Sequence, residues 1–423
     1  MENLFLILRT MIFVFVAMMW LKYYLFLIIS PFYPIKEHLR YIYAMRSVTK
    51  SGQGLYNPRI SVIVPAWNEE VGVVKTIDSV LKNTYKNIEL IIVNDGSIDT
   101  THQKVMEYIQ DEVANKRLDL KNINYIAQPN QGKGQALNNG IKASTGDIIM
   151  TIDADSALQP KAITNLVKYY LDPKIMCVVG NVKVAKNNTF VGLVQQLEYY
   201  FGFYFKRAYA ILGAEYIFGG ACASFRREVF DIIGYYDTDN KTEDIELSMR
   251  TRWAGLECTY AEDVVCYTEG ASDVLSLVNQ RVRWKKGRFD TFWRYRKIFL
   301  SVSKEHNSWL SFFILPYALL SELQLLFEPI SISILITYSI VASDYLSFAI
   351  GLIFILQIYL VASFFGDEGI KWKKILLFPF TWIIFYFLVW VEFLSLLKSI
   401  SMIINGHQVQ WQQWKRRGIK EQI

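Results

Sequence analysis

The sequence predicts an α/β domain inserted between N- and C-terminal transmembrane helices. Three observations carry this. Residues 55–298 alternate short β-branched runs with helical stretches, and long apolar segments lie on either side. Three of the predicted strands run into polar, acidic motifs at their carboxyl ends, where open α/β sheets bind ligands. Hydrophobic residues make up 52% of the 423 residues and charged residues 20%. The first share excludes a disordered chain, and the gathering of charge in the centre excludes a pure membrane bundle. The net charge of +6 is spread along the chain without a dense basic patch, so nucleic acid is not an expected partner.

Residues 10–21 open an apolar stretch that resumes after Lys22 and ends near 34. It is long, aromatic-rich and lacks a small-residue cleavage site, so 1–34 reads as a retained anchor rather than a signal peptide. Lys36, Arg40, Arg46 and Lys50 follow, which places the next segment in the cytoplasm by the positive-inside rule. Residues 59–65 form a first buried strand. Asn68 is placed to cap the next helix, with Glu69 and Glu70 in its first turn. Strands follow at 88–94 and 123–127, then a helix at 132–143 and a strand at 147–152. This rhythm predicts a parallel sheet with helices on both faces. No GxGxxG follows the first strand, which argues against a dinucleotide fold. An interface helix is expected at 272–296. Beyond it come three apolar stretches, 309–341, 344–365 and 375–397, in a membrane region 309–405. Pro316, Glu322, Glu328 and Pro329 interrupt the first. Its carboxylates either face a bundle interior or aqueous path, or lie in water on a surface amphipathic helix. One N-terminal and three C-terminal crossings would put the tail 406–423 outside, whereas Lys415, Arg416, Arg417 and Lys420 favour the inside.

Cys177, Cys222, Cys258 and Cys266 form no CxxC pair and fall in the cytosolic stretch, so reduced, partly buried thiols are expected. The four histidines are scattered, which excludes a zinc site and leaves a hard, oxygen-bound ion as the only expected metal. Asp153 and Asp155 lie two apart past a strand and share a face in extended geometry. They could hold Mg²⁺ or Mn²⁺ against a diphosphate, or be ordinary solvated loop acids. Asp95 suits a turn as well as a site, and Trp67 suits packing as well as stacking on a base. Thr242-Glu-Asp opens a helix toward Arg250. Its acids either favour the helix start or supply a general base for a sugar hydroxyl. Gln280, Arg283 and Trp284 share one helix face. Arginine matches diphosphate oxygens, and tryptophan stacks on a sugar. Arg281 points elsewhere and reads as structural, and the bland alternative for the whole segment is a basic helix on a membrane surface.

Trp67-Asn-Glu, Asn94-Asp-Gly-Ser, Gly132-Lys-Gly-Gln-Ala-Leu-Asn138, Asp153-Ala-Asp, Thr242-Glu-Asp and Gln280-Arg-Val-Arg-Trp occur in one order. That order resembles the processive, membrane-integrated family 2 glycosyltransferases: cellulose, chitin, hyaluronan and poly-N-acetylglucosamine synthases. Size and layout look most like the bacterial poly-β-1,6-N-acetylglucosamine synthases. The resemblance implies a GT-A (Rossmann-like) fold in the bacterial inner membrane with a cytoplasmic catalytic domain. It implies a UDP-sugar donor, UDP-N-acetylglucosamine first, a growing polysaccharide acceptor, Mg²⁺ or Mn²⁺, and room for a small membrane partner subunit. Trp67, Glu69 and Asp95 would cradle the uridine. Lys133 would approach the nucleotide, Asp153 would contact nucleotide or diphosphate, and Asp155 would hold the metal with it. Asp244 would be the base, with Glu243 and Asp237 as nearby alternatives. Gln280, Arg283 and Trp284 would bind diphosphate and acceptor, and Gly219 to Cys222 would line the acceptor entrance. Residues 411–418 sit where relatives carry a Trp-and-Arg gating motif, at a different spacing. A non-processive transferase acting on a polyprenyl phosphate shares the first aspartate motifs but not the Gln-x-x-Arg-Trp helix. The intact acidic set argues against a catalytically silent membrane scaffold.

Overall fold

The structure, a computed structural model, describes residues 2–50, 56–114, 122–365, 381–407 and 416–419. The chain enters through two consecutive helices, α1 (Glu2–Ile29) and α2 (Tyr33–Lys50). Helix α2 docks on the central domain: Tyr33 Oη donates to the Tyr260 carbonyl at 2.6 Å and Lys36 Nζ to the Ala210 carbonyl at 2.7 Å. Then come β1 (Ile60–Ala66), α3 (Val73–Leu81), β2 (Ile88–Asp95), α4 (Thr101–Ala114), β3 (Ile123–Gln128), α5 (Lys133–Ala143) and β4 (Ile148–Thr151). Strand β1 is buried along almost its whole length, as a β-branched run covered on both faces should be. Val62 and Val64 pack into one core, and Ile63 into the other.

The second half departs from the expected all-parallel sheet. It contains β5 (Ser156–Leu158), α6 (Ala162–Tyr169), β6 (Ile175–Val184), α7 (Phe190–Ile211), β7 (Ala223–Arg226), α8 (Glu228–Ile233), α9 (Glu243–Trp253) and β8 (Glu257–Thr268). The sheet order is β3-β2-β1-β4-β7-β6-β8-β5. Strands β1 to β4 are parallel, but β7 runs antiparallel to β4 and β6, and β5 antiparallel to β8. A parallel neighbour needs a crossover on a sheet face. β7 instead enters from the edge where β1, β2 and β4 end, and so delivers residues 219–222 to that edge.

A further layer of helices follows: α10 (Val274–Arg294), α11 (Leu315–Val341), α12 (Tyr345–Phe365) and α13 (Thr381–Ile404). Among the described residues, Leu310–Val341 and Thr381–Ile404 are long and apolar enough to cross a membrane. Pro329 lies inside α11 without ending it. The amphipathic-surface alternative for this helix does not hold. Glu322 turns inward to Lys285 at 2.8 Å and Arg288 at 2.7 Å, and Glu328 is 2% exposed.

Candidate active site

The carboxyl ends of β1, β2 and β4, the first turns of α5 and α9, and one face of α10 surround a single cavity of about 1900 Å³. Trp67, Glu69, Asp95, Lys133, Asp153, Asp155, Gly219, Glu243, Asp244, Gln280, Arg283 and Trp284 all line it. Cys222 does not. It is 1% exposed, and its Sγ would lie 2.3 Å from a side chain at Gly180. The strand start that brings Gly219 to the edge turns Cys222 into the core.

The turn after β1 differs from expectation. Asn68 caps no helix, because α3 begins at Val73 behind Gly72. Asn68 instead adopts a left-handed φ of 54°. Its Oδ1 accepts from the Ile98 N–H at 2.8 Å, and its N–H donates to Ser97 Oγ at 3.0 Å. An Asx side chain thus ties the β1 turn to the β2 turn, a competing bond typical of these residues. Asp95 has a structural task as well: its oxygens accept from the Gln131 N–H at 2.9 Å and the Gly132 N–H at 2.8 Å, which fixes the loop that opens α5.

Asp153 and Asp155 sit in a turn rather than in extended backbone, so they face different partners. Asp153 Oδ1 pairs with Lys133 Nζ at 2.6 Å, and the same ammonium lies 3.4 Å from Glu243. Burial pulls Lys133 down, but Asp153, Glu243 and Asp244 outweigh it and hold the ammonium above its ordinary range. Asp155 Oδ2 accepts from Arg416 at 2.6 Å, and Arg416 also bonds Glu69. Among the described residues no group of three or more His, Cys, Asp or Glu forms a protein-only metal cage. Asp153 and Asp155 line one cavity with Glu69, whose buried Oε2 has no hydrogen-bond partner among the described residues, and carboxylate oxygens of this kind suit a Mg²⁺-type ion. Such ions take one or two carboxylates and draw their remaining ligands from water and phosphates.

Glu243 and Asp244 open α9. Glu243 is 2% exposed; burial pushes its carboxyl up, Lys133 and Arg283 pull against it, and Asp244 adds to the rise. Asp244 is half-buried at the cavity wall, with Oδ2 accepting from the Gly220 N–H at 3.1 Å and Oδ1 from the Ile245 N–H at 2.9 Å. Gly220 allows this approach, since a Cβ there would lie 2.8 Å from Lys133 Nζ. Asp237 is not part of the site: it pairs with Arg294 at 2.5 Å. Helix α10 meets the start of α9 at Gly287, where a Cβ would fall 1.9 Å from Thr242 Oγ1.

Among the described residues, five buried polar atoms without a hydrogen-bond partner belong to residues lining this cavity: Glu69 Oε2, Glu215 Oε2, Gln280 Oε1, Arg281 Nε and Arg288 Nε. Leaving such an atom unpaired costs about 1–3 kcal/mol, so their convergence marks a surface built for a polar ligand. Glu215, Arg288 and Glu269 were not singled out by motif, whereas Gly220 lay in the 219–222 stretch expected at the acceptor entrance and Arg416 in the tail stretch 411–418. The basic tail was a signal for Arg416, but its partners were not, because 261 residues separate it from Asp155. Glu269 accepts from the Arg417 and Gly418 N–H groups at 2.5 and 3.3 Å. The tail tryptophans, Trp411 and Trp414, lie outside the described residues.

The sequence matches two family descriptions, "Glycosyl transferase family 2" over residues 61–234 and "Glycosyl transferase family group 2" over residues 148–397. It is 31% identical over 238 residues to poly-beta-1,6-N-acetyl-D-glucosamine synthases of Staphylococcus epidermidis and Staphylococcus aureus. That match covers 56% of this chain and 56% of each relative, so the chain spans about half the length of the curated relatives it matches. In structure it is similar to a mannosyltransferase from Pyrobaculum calidifontis in complex with GDP-Man and Mn²⁺, with a TM-score of 0.56 at 18% identity over 92% of this chain and 100% of that one.

Proposed function

The chain belongs to the family 2 glycosyltransferases, with their GT-A-like α/β fold and a curled mixed sheet, and from that premise we propose that it is a membrane-embedded, inverting polysaccharide synthase. On this reading it extends a β-linked N-acetylglucosamine polymer from UDP-N-acetylglucosamine and passes the product into its membrane helices. One observation supports this above the others. The carboxylates suited to a nucleotide diphosphate and the Gln280–Arg283–Trp284 face line one continuous cavity of about 1900 Å³. Pockets for one small ligand are usually about 300–1,000 Å³, so donor and acceptor fit together.

Trp67 would stack on the uracil, while Asp95 holds the loop beside it. Asp153 and Asp155 would hold Mg²⁺ or Mn²⁺, which when bound supplies positive charge to the leaving diphosphate. Arg283 donates to the same diphosphate from α10. Asp244 takes the proton of the acceptor hydroxyl as that oxygen attacks the anomeric carbon. Its carboxylate is aimed by the Gly220 and Ile245 N–H groups. One displacement inverts the centre, so no nucleophilic Ser or Cys is required. Trp284 provides the flat apolar platform for the acceptor ring.

Membrane vesicles holding the full chain, given Mg²⁺ or Mn²⁺ and radiolabelled UDP-N-acetylglucosamine, should yield a polymer cleaved by a β-1,6-N-acetylglucosaminidase. Chelator, or Asp155→Ala, should abolish it. A single sugar on a polyprenyl phosphate would replace the synthase reading with the lipid-transferase one.

A further inference from the structure

Arg281 occupies the first of the two positions that the Gln-x-x-Arg-Trp motif leaves variable. It is 5% exposed, and its guanidinium carbon lies 4.3 Å from the Trp284 ring centroid. A buried guanidinium over an indole face is a cation–π contact that orients as well as attracts.

Arg281 is itself held from two sides. It pairs with Glu198 of α7 at 2.5 Å and with Glu392 of α13 at 3.3 Å. Glu392 also takes Lys285 at 2.7 Å, Lys285 reaches Glu322 of α11 at 2.8 Å, and Glu322 takes Arg288 at 2.7 Å. The series Glu198–Arg281–Glu392–Lys285–Glu322–Arg288 alternates in sign without a break. Residues 281, 285 and 288 follow i, i+4, i+7 spacing, so one face of α10 carries all three cations. The series joins α7, α13 and α11 to the helix that bears Trp284. Such buried pairs are weak contributors to stability, and apolar replacements often do as well. Their best-attested use is to fix register between packed elements.

We propose that Arg281 is a positioning residue for the acceptor platform: it fixes the plane of the Trp284 indole and ties it to α7 through Glu198 and to α13 through Glu392. This rests on the reading of Trp284 as the acceptor platform. Arg281 lines the same cavity as Trp284, but its guanidinium is taken up by the indole, Glu198 and Glu392, so its loss should fall on acceptor handling rather than on donor binding. Charge alone is insufficient, because a lysine satisfies both carboxylates but lacks the planar face that matches the indole.

The test uses the full chain in lipid nanodiscs, with product length, the KM for a β-1,6-linked N-acetylglucosamine oligomer and UDP affinity read on each sample. Arg281→Lys should raise the oligomer KM several-fold, because an ammonium keeps attraction to the ring but loses the planar contact that orients it, and should shorten the product. UDP affinity should stay within about twofold. Arg281→Met leaves Glu198 and Glu392 without their cation and risks misfolding, so Arg281→Lys is the decisive variant. Lysine performing like arginine in KM and product length would reduce Arg281 to charge compensation and overturn the proposal. An equal fall in UDP affinity and oligomer binding would also overturn it, since that marks a general structural defect. A wild-type protein that makes only a lipid-linked single sugar would overturn the synthase reading itself, an outcome separate from either of these.

Discussion

Glu243 and Asp244 stand side by side in the first turn of α9, yet only one is placed to accept a proton from substrate. Glu243 is enclosed and pairs with Lys133 at 3.4 Å. Asp244 lines the cavity, with a backbone N–H fixing each oxygen. Asp244→Asn keeps the size and one acceptor but removes the basic oxygen. It should lower transfer by about 10²–10⁴-fold, the usual contribution of general base catalysis, and leave UDP affinity within about twofold by calorimetry. Glu243→Gln leaves Lys133 partly unpaired in a buried site and should show mainly in weaker donor binding. A dead Glu243→Gln with normal donor binding, beside an active Asp244→Asn, would move the base to Glu243. Arg416 adds a further residue-scale point. Its guanidinium lies between Glu69 and Asp155, so on the proposed reading the tail would compete with metal and donor for these carboxylates. Arg416→Ala should therefore change the concentration of Mn²⁺ needed for half-maximal UDP binding by several-fold.

At the scale of elements, the site depends on β1, β2 and β4 ending together, and Glu89 on β2 enforces this. Its carboxylate accepts from Ser61 Oγ on β1, from the Thr145 N–H at 2.5 Å and Oγ1 at 2.8 Å, and from the Gly146 N–H at 3.0 Å just before β4. Burial raises its pKa, but these donors outweigh burial and hold the carboxyl below its ordinary 4.5. A folded pKa below the unfolded one means that the stabilisation is complete above the unfolded pKa and is lost as pH falls through the folded value. Glu89→Gln turns one acceptor into a donor facing other donors. It should cost about 1–3 kcal/mol in denaturant unfolding at pH 7. The gap to wild type should narrow below about pH 4; a gap that does not change with pH would show that the carboxylate's charge is irrelevant there.

For the whole molecule, the question left by the charge pattern was the side on which the tail lies. Residues 416–419 sit against the central domain: Arg416 enters the cavity, and Lys75 Nζ of α3 donates to the Ile419 carbonyl at 2.7 Å. Three full C-terminal crossings would separate this tail from the domain, whereas an even number of crossings would return it. The four native cysteines are all buried, so an introduced thiol at exposed position 417 reports cleanly. Arg417→Cys should resist a membrane-impermeant maleimide in intact cells and react after permeabilisation. Labelling from outside would place the tail across the membrane from the catalytic domain.

The sequence by itself determined the layered plan, because apolar periodicity and acidic strand ends are local properties. β1, β2, β3, α5 and β4 begin and end within a residue or so of where pattern placed them, and Gln280, Arg283 and Trp284 share the face that their helical spacing requires. Only the tertiary structure decided which motif residues meet and what each is bonded to. The start of α3 was misplaced because Asn68 had a better partner, 30 residues away, than the helix it precedes. The antiparallel entry of β7 depends on the path of residues 212–222, which no local propensity encodes. The ion pairs that place Arg281 beneath Trp284, and Arg416 between Glu69 and Asp155, join positions 83 to 347 residues apart. Such pairings are fixed by packing of the whole chain, and spacing along the sequence carries no record of them.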